Sequence, residues 1–256
     1  MTALANPRQN YLLDVLPAAQ FNCLFPHFEL VTLPRGEVLY ESGCQLNYVY
    51  FPTSCIVAKL YFTKNGASTE ISVIGNEGLI GIALFMGGGT MTHRAMVVSE
   101  GYAYRIRVHR VLQEFNRFGG RRSGALHHLL LRYAQALITE MSQTTVCNRH
   151  HSVEQQLCRW LLLSLDRLPG NEITMTQELI ATMLGVRRES ITDAAWKLQQ
   201  AGVINYQRGH ITVLDRLRLE AQVCECYQVV KDEFGRLLPA LYAVPPLTSR
   251  CRAMCA

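Results

Sequence analysis

The stretch from Thr176 to Ile204, TQELIATMLGVRRESITDAAWKLQQAGVI, constrains this chain more than any other. Thr176 is a hydroxyl residue placed just before an apolar-periodic run, as a helix N-cap is. Leu179, Ile180, Met183 and Leu184 then recur at helical spacing. Gly185 ends that helix, because a left-handed backbone costs glycine little. A second run starts at once with Ile191, Ala194, Ala195 and Leu198. Two short helices across a tight glycine turn predict a helix-turn-helix. In such a unit the first turn of the second helix, here Arg188, Glu189 and Ser190 with Arg187 at its mouth, meets base edges in the major groove. An ordinary helical hairpin would show the same periodicity, so the residues immediately downstream matter. Val203 to Tyr206, a turn at Arg208-Gly209-His210, and Ile211 to Leu214 have the pattern of a β-hairpin. Helix-turn-helix plus hairpin predicts a winged helix with Arg208 at the wing tip.

The winged-helix stretch resembles the DNA-binding domain of the bacterial Crp/Fnr regulators, the catabolite activator family. The resemblance rests on Thr176, Ile180, Ala181, Leu184, Gly185, Arg188, Glu189, Ser190 and Ile191, which fit the pattern T-x-x-x-[LI]-A-x-x-[LVM]-G-x-[ST]-R-E-[ST]-[VI]. Two positions depart from it. Arg187 stands where the family usually has Ser or Thr, and Asp193 stands where many members have another polar reading residue, often Arg. The resemblance implies double-stranded DNA as partner, a homodimer, and RNA polymerase as a further partner. It implies DNA contacts from Thr176, Gln177, Arg187, Arg188, Glu189, Ser190 and Arg208.

Upstream, residues 29–108 are short apolar runs separated by turns such as Pro34-Arg35-Gly36, Lys64-Asn65-Gly66 and Gly75-Asn76-Glu77-Gly78. The runs are Glu29–Leu33, Val38–Tyr40, Tyr48–Phe51, Ile56–Phe62, Thr69–Ile74, Ile80–Leu84, Met96–Ser99 and Ala103–Val108. That spacing predicts an antiparallel roll or barrel. Its layout resembles the cyclic-nucleotide-binding-like sensor of the same family. In cyclic-nucleotide members a Gly-Glu pair and an Arg followed by Ser or Thr hold ribose and phosphate, through a ribose acceptor and a cation. Here the corresponding residues are Gly81, Ile82, His93 and Arg94. Ile82 cannot accept a hydrogen bond and Arg94 is displaced by one, so cyclic AMP is not expected to bind and no cofactor is predicted. Gly87 to Gly89 has the composition of an anion nest, and equally of a flexible turn.

Between roll and winged helix, residues 121–147 predict a long helix. Leu126, Leu130, Tyr133, Leu137 and Met141 step by four, three, four and four, close to a heptad seam. They are the expected dimer interface, although a singly buried helix has the same spacing. Leu129, Ala136 and Ile138 form a second stripe, expected to pack on the roll. Asn148 to His151 is polar and reads as a hinge, after which Ser152-Val153-Glu154-Gln155 is a capping box.

The expected fold class is therefore α+β: a sensor domain at 1–120, a dimerisation helix at 121–147, a winged helix-turn-helix at 148–238 and a tail at 239–256. Tyr11 to Leu16 and Pro17 to Phe25 read as short helices after a mobile start, and one last helix is expected from the Asp215 cap to Leu238. Of the net charge of +5, residues 121–219 carry most, with 12 Arg and Lys against 8 Asp and Glu. That favours a polyanion partner for this half. No apolar run is long enough for a membrane span and no leader pattern opens the chain, so a cytoplasmic protein is expected. No catalytic motif is present, and no enzyme activity is expected.

Nine cysteines fit reduced thiols better than a disulfide framework. Cys224-Glu225-Cys226, considered with Cys251 and Cys255, lacks the paired spacing of zinc sites, and on one helix the two thiols would point apart. No metal site is expected there, nor at His127-His128 or His150-His151. An alternative function is a redox- or metal-sensing module that uses these cysteines, with the winged helix serving protein contacts.

Overall fold

A computed structural model describes residues 6–117, 124–168 and 170–239. The chain opens on a 3-10 turn, Pro7–Gln9, capped by Asn6, so residues 6–10 are ordered where a mobile start was expected. Helices α1 (Tyr11–Asp14) and α2 (Ala18–Leu24) come next. Asn10 fixes them to the roll. Its side-chain amide donates to the carbonyls of Pro52 and Gly78, at 2.9 and 2.8 Å, while its oxygen caps α1.

The roll consists of β1 (Glu29–Leu33), β2 (Val38–Tyr40), β3 (Tyr48–Pro52), β4 (Ile56–Phe62), β5 (Ser68–Ile74), β6 (Arg94–Ser99) and β7 (Gly101–Arg107). They form two antiparallel sheets, ordered β1-β7-β3 and β2-β6-β4-β5. Leu33, Tyr40, Val57, Ile74, Ile80, Val97 and Ala103 make one core cluster within the roll. Neighbouring positions, among them Phe51, Ile56, Ala58, Leu60, Val73 and Val98, belong to a second core that continues into the helices. The alternation of strand side chains between two faces thus lets β4 serve both cores. The strand expected at Ile80–Leu84 is instead a single bridge, Tyr50 to Ile80, and then a 3-10 helix at Ile82–Met86. Gly81 and Gly87, at φ of 112° and 88°, turn the chain at both ends of that helix.

After α3 (Val108–Asn116) comes the long helix α4 (Ala125–His150). The start expected at 121–123 lies outside the described residues. The heptad-spaced residues face inward. Leu126, Leu130, Tyr133 and Leu137 are at most 4% exposed and belong to the chain's own core, and Met141 is packed against it. This corrects the dimer-interface expectation: the seam is filled by β5, the 3-10 helix and a C-terminal helix, so little remains for a second chain. Periodicity identified the apolar face but not what covers it. Leu129 and Ala136 pack inward as expected, but Ile138 is exposed, along with Leu131. Tyr133 sits so close to the Gly75–Gly78 turn that a Cβ on Gly78 would lie 2.2 Å from its hydroxyl.

The expected hinge at 148–151 is also corrected. α4 runs through His150, and the break falls at the extended residues His151 and Ser152. Ser152 and Gln155 form the expected capping box of α5 (Val153–Leu165). Beyond lie β8 (Glu172–Thr174), α6 (Gln177–Leu184), α7 (Arg188–Gln200), β9 (Ile204–Gln207) and β10 (His210–Val213). β8 was not expected, and it widens the wing to a sheet ordered β8-β10-β9. The single last helix is two, α8 (Arg216–Gln222) and α9 (Glu225–Leu237), because Val223 and Cys224 are extended. α9 packs along α4.

Buried polar groups join these parts. Arg167, just beyond α5, donates to Glu77 of the roll at 2.7 Å and to Glu140 of α4 at 2.8 Å, with all three side chains at most 5% exposed. Glu140 also accepts from the backbone N–H of Val73, and Glu77 from that of Gly75. Trp160 of α5 donates its indole N–H to Glu70 of β5 at 3.2 Å. Burial pushes the Glu70 carboxyl up to about 7.

Removing Arg167 would strand two carboxylates in the interior. Arg167→Met should cost ~3–5 kcal/mol in denaturant unfolding. The loss should be smaller when Glu77→Gln and Glu140→Gln are added, since the stranded charges are then gone. Glu70 gives a pH signature. Its folded value of about 7 exceeds the unfolded value of about 4.3. Its contribution to stability is therefore present below about pH 4.3 and lost as pH rises through about 7. Glu70→Gln should raise the Tm relative to the unchanged protein at pH 8 but not at pH 4, as thermal melts at the two values would show.

Candidate nucleic-acid interface and sensor pocket

The winged-helix face is built from local signals that act as the sequence implies. The Thr176 hydroxyl accepts from the Leu179 N–H at 3.3 Å and caps α6. Gly185 takes φ 66°, and its N–H bonds back to Ala181. This turn needs glycine twice over, since a Cβ there would also lie 2.8 Å from Thr69 Oγ1 on β5. Arg187 is the N-cap of α7 but makes no side-chain cap bond. Its side chain stays exposed, as do those of Arg188 and Glu189, while Ser190 is half-buried. Thr192 ties the two helices by donating to Gln177 at 2.8 Å.

The amino-terminal ends of α6 and α7 and the wing tip converge on one concavity. It is lined by Thr176, Gln177, Glu178, Arg188, Tyr206, Arg208 and Gly209. Four of the seven expected DNA-contact residues thus meet in one place, and Arg187, Glu189 and Ser190 continue along α7 beside it. Arg208 holds φ 49° at the wing turn. Sequence reasoning missed Glu178 and Tyr206. Glu178 Oε2 lies 4.0 Å from Arg188 Nε, both exposed. Tyr206 donates its hydroxyl to the Met175 carbonyl at 2.7 Å and fixes the wing against the start of α6. An aromatic two residues before the wing tip was the only signal for it. Trp196, further along α7, is 62% exposed.

The four sensor residues are dispersed in role. Ile82 is buried in the core. Arg94 donates to Glu41 at 2.9 Å and lies over the Phe62 ring. His93 Nε2 is 2.6 Å from the Tyr40 hydroxyl. Burial, and then the nearby Lys59, push its imidazole down to about 4, so it is neutral at pH 7. Of the three glycines after Met86, Gly88 uses its N–H on the Ala83 carbonyl, which closes the 3-10 helix. An anion nest there would have to do without it.

The cysteines are arranged differently from the sequence expectation. Cys224 is the N-cap of α9 with extended backbone, so Cys224 and Cys226 do not lie on opposite sides of one helix. Both thiols turn toward Cys147 and His151 at the end of α4, where one donor atom from each of the four lies within 4.8 Å of every other. His150 is exposed, and His127 stacks on Phe115. Cys251 and Cys255 lie outside the described residues.

A β-roll, a long helix and a winged helix-turn-helix in this order define the architecture of a Crp/Fnr-type transcription regulator. Residues 30–118 match the family model of the cyclic nucleotide-binding domain, and residues 155–222 match that of the Crp-like helix-turn-helix domain. The chain belongs to the Crp/Fnr family of transcription regulators. Solved structures share the fold at low identity. FixK2 from Bradyrhizobium japonicum is 14% identical, with a TM-score of 0.62 over 77% of this chain and 98% of its own. A CRP-family transcriptional regulator from Thermus thermophilus is 16% identical, with a TM-score of 0.61 over 75% and 95%. The c-di-GMP-responsive global regulator CLP of Xanthomonas campestris is 15% identical, with a TM-score of 0.60 over 78% and 100%. A search of the curated proteins returns no match. Among the described residues no helix is long and apolar enough to cross a membrane.

Proposed function

We propose that the chain is a homodimeric, sequence-specific DNA-binding regulator in the cytoplasm, coupling a signal at the roll to operator occupancy and contacting RNA polymerase when bound. The observation that carries this reading is the single concavity shared by both helix starts and the wing. Helix N-termini favour phosphate through free N–H groups and the helix dipole, and Arg188 and Arg208 add charge on the same side. Arg188, on the first turn of α7, is placed to bond a guanine's O6 and N7 together. Arg187, Thr176 and Gln177 are placed for phosphate, and Glu189 for a cytosine amino group. Glu178 competes with DNA for Arg188 and opposes phosphate, which sharpens selection while weakening affinity.

The dimer in this reading uses the outer face of α4. His128, Leu131, Gln135, Ile138, Ser142 and Thr145 step by three and four, and all but two of these are polar. Leu131 and Ile138 are about half exposed and one heptad apart. Paired across a twofold axis, they give the apolar centre of a modest coiled-coil seam. Two recognition helices would then meet half-sites about 34 Å apart. The effector is of a class other than cyclic AMP, given the buried Ile82 and the neutral His93.

Two measurements test the reading. Ile138→Glu should give monomer in sedimentation and lose operator binding, whereas an unchanged dimer would place the interface elsewhere. On operators selected from genomic fragments, Arg188→Ala should cost ~1–3 kcal/mol and relax preference at one base pair per half-site. Arg187→Ala should weaken all duplex DNA alike and flatten the salt dependence. Duplex binding with no salt dependence, or none at all, would favour the winged helix as a protein-contact surface.

A further inference from the structure

We propose that Cys147, His151, Cys224 and Cys226 form a closed tetrahedral site for one Zn²⁺ ion, clamping the end of α4 to the start of α9. The spacing of the donors carries the inference. Zinc bonds thiolate sulfur at about 2.3 Å and imidazole nitrogen at about 2.0–2.1 Å. A tetrahedron of such bonds has sulfur–sulfur edges of about 3.8 Å and sulfur–nitrogen edges of about 3.6 Å. Cys147 Sγ and Cys224 Sγ are 3.6 Å apart, and Cys226 Sγ and His151 Nδ1 are also 3.6 Å apart. All four donors lie within 4.8 Å of one another. A disulfide between Cys147 and Cys224 would require about 2.05 Å.

The backbone explains the convergence. Cys147 and His151 are four residues apart on one face of the last turn of α4, and the His151 N–H closes that turn on the Cys147 carbonyl. Gln156 donates to the Cys147 and His151 carbonyls and holds both. On the other side, Cys224 is the extended N-cap residue of α9 and Cys226 enters its first turn.

The surroundings complete a metal site. Histidine ligands commonly give their second nitrogen to a carboxylate, which fixes the tautomer and raises basicity. His151 Nδ1 faces the thiols while Nε2 lies 3.3 Å from Glu225. Three thiolates and a neutral imidazole leave a zinc site with one negative charge. Arg159 is 3% exposed, and its Nε and Nη1 have no hydrogen-bond partner among the described residues. Its guanidinium lies within electrostatic reach of Cys147 and Cys226, and of the buried Glu70 carboxyl as well. A buried, under-satisfied cation beside three thiols is what an anionic centre would balance. The three cysteines are at most 3% exposed, and four protein ligands leave no open position. Such a site is structural in type and selects a tetrahedral thiolate-binding ion over hard, oxygen-seeking ones. Clamped there, the boundary between α4 and the winged helix is set by the metal as well as by the chain.

The test is metal analysis of the full chain purified without added metal or chelator. About one zinc per chain is expected. The Cys224→Ser/Cys226→Ser double variant should lose it, and the Cys251→Ser/Cys255→Ser and Cys23→Ser/Cys44→Ser double variants should keep it. A second measurement does not depend on variants folding. Cobalt(II) added to the reduced, zinc-stripped protein should give thiolate charge-transfer and tetrahedral d–d absorption saturating at one equivalent, reversed by zinc. No bound zinc together with no tetrahedral cobalt spectrum would overturn the proposal, as would zinc kept by the Cys224/Cys226 variant. A Cys147–Cys224 disulfide in the freshly isolated protein would likewise replace it with a redox pair. None of these results depends on DNA binding, so this site and the regulator reading can fail separately.

Discussion

Arg167 is the point on which the arrangement of the molecule depends. It is buried, and it satisfies one carboxylate from the roll and one from the long helix while standing just after the first helix of the winged domain. Each acid is also held by a backbone N–H, so the triad fixes main chain as well as side chains. Burial still pushes the Glu77 carboxyl up, with Arg167 only partly opposing it. Such a group contributes little net stability compared with an apolar substitute of the same shape. Its contribution is selection of one orientation, because any other leaves charges unpaired in the interior. The Trp160 to Glu70 bond repeats the device one strand away.

Around that triad the roll and the helices share one apolar core. One core cluster runs from α1 through the outer faces of β4 and β5, along α4 and into the helix-turn-helix. The long helix is therefore buried on one side by its own chain, and α9 adds a further cover. Its exposed side has a polar character relieved by Leu131 and Ile138. The turn of the helix-turn-helix touches β5 through Gly185 and Thr69. The helix-turn-helix therefore packs on the roll directly as well as through α4.

The end of α4 gathers several devices in a few residues. The helix terminates, a capping box starts the next one, and three buried thiols meet an imidazole. Asp166, Arg216 and Tyr227 close a second polar network nearby, joining α5 to α8 and α9. The C-terminal helices are thus fastened both to α4 and to α5.

By itself the sequence determined the local structure. Caps at Thr176 and Ser152, the left-handed stop at Gly185, and the short strands with their turns arise from side-chain chemistry acting over a few residues, and all but the run at Ile80–Leu84 stand where that chemistry puts them. The motif and the roll layout were enough to assign the family. Most of the concave face was legible too, since the residues after a cap and at a wing tip are local. Tertiary structure decided what meets across distance. The heptad spacing of Leu126 to Met141 marked one face of α4 but could not say that β5 and α9 cover it. Glu178 joined the reading face only through the crossing of two helices. The strand expected at Ile80–Leu84 became one bridge and a 3-10 helix between the left-handed turns at Gly81 and Gly87. The cysteines show the limit best. C-x₃-H at the end of α4 and C-x-C at the start of α9 are each ordinary on their own, 77 residues apart, and only the packing of α9 along α4 puts four donor atoms within 4.8 Å.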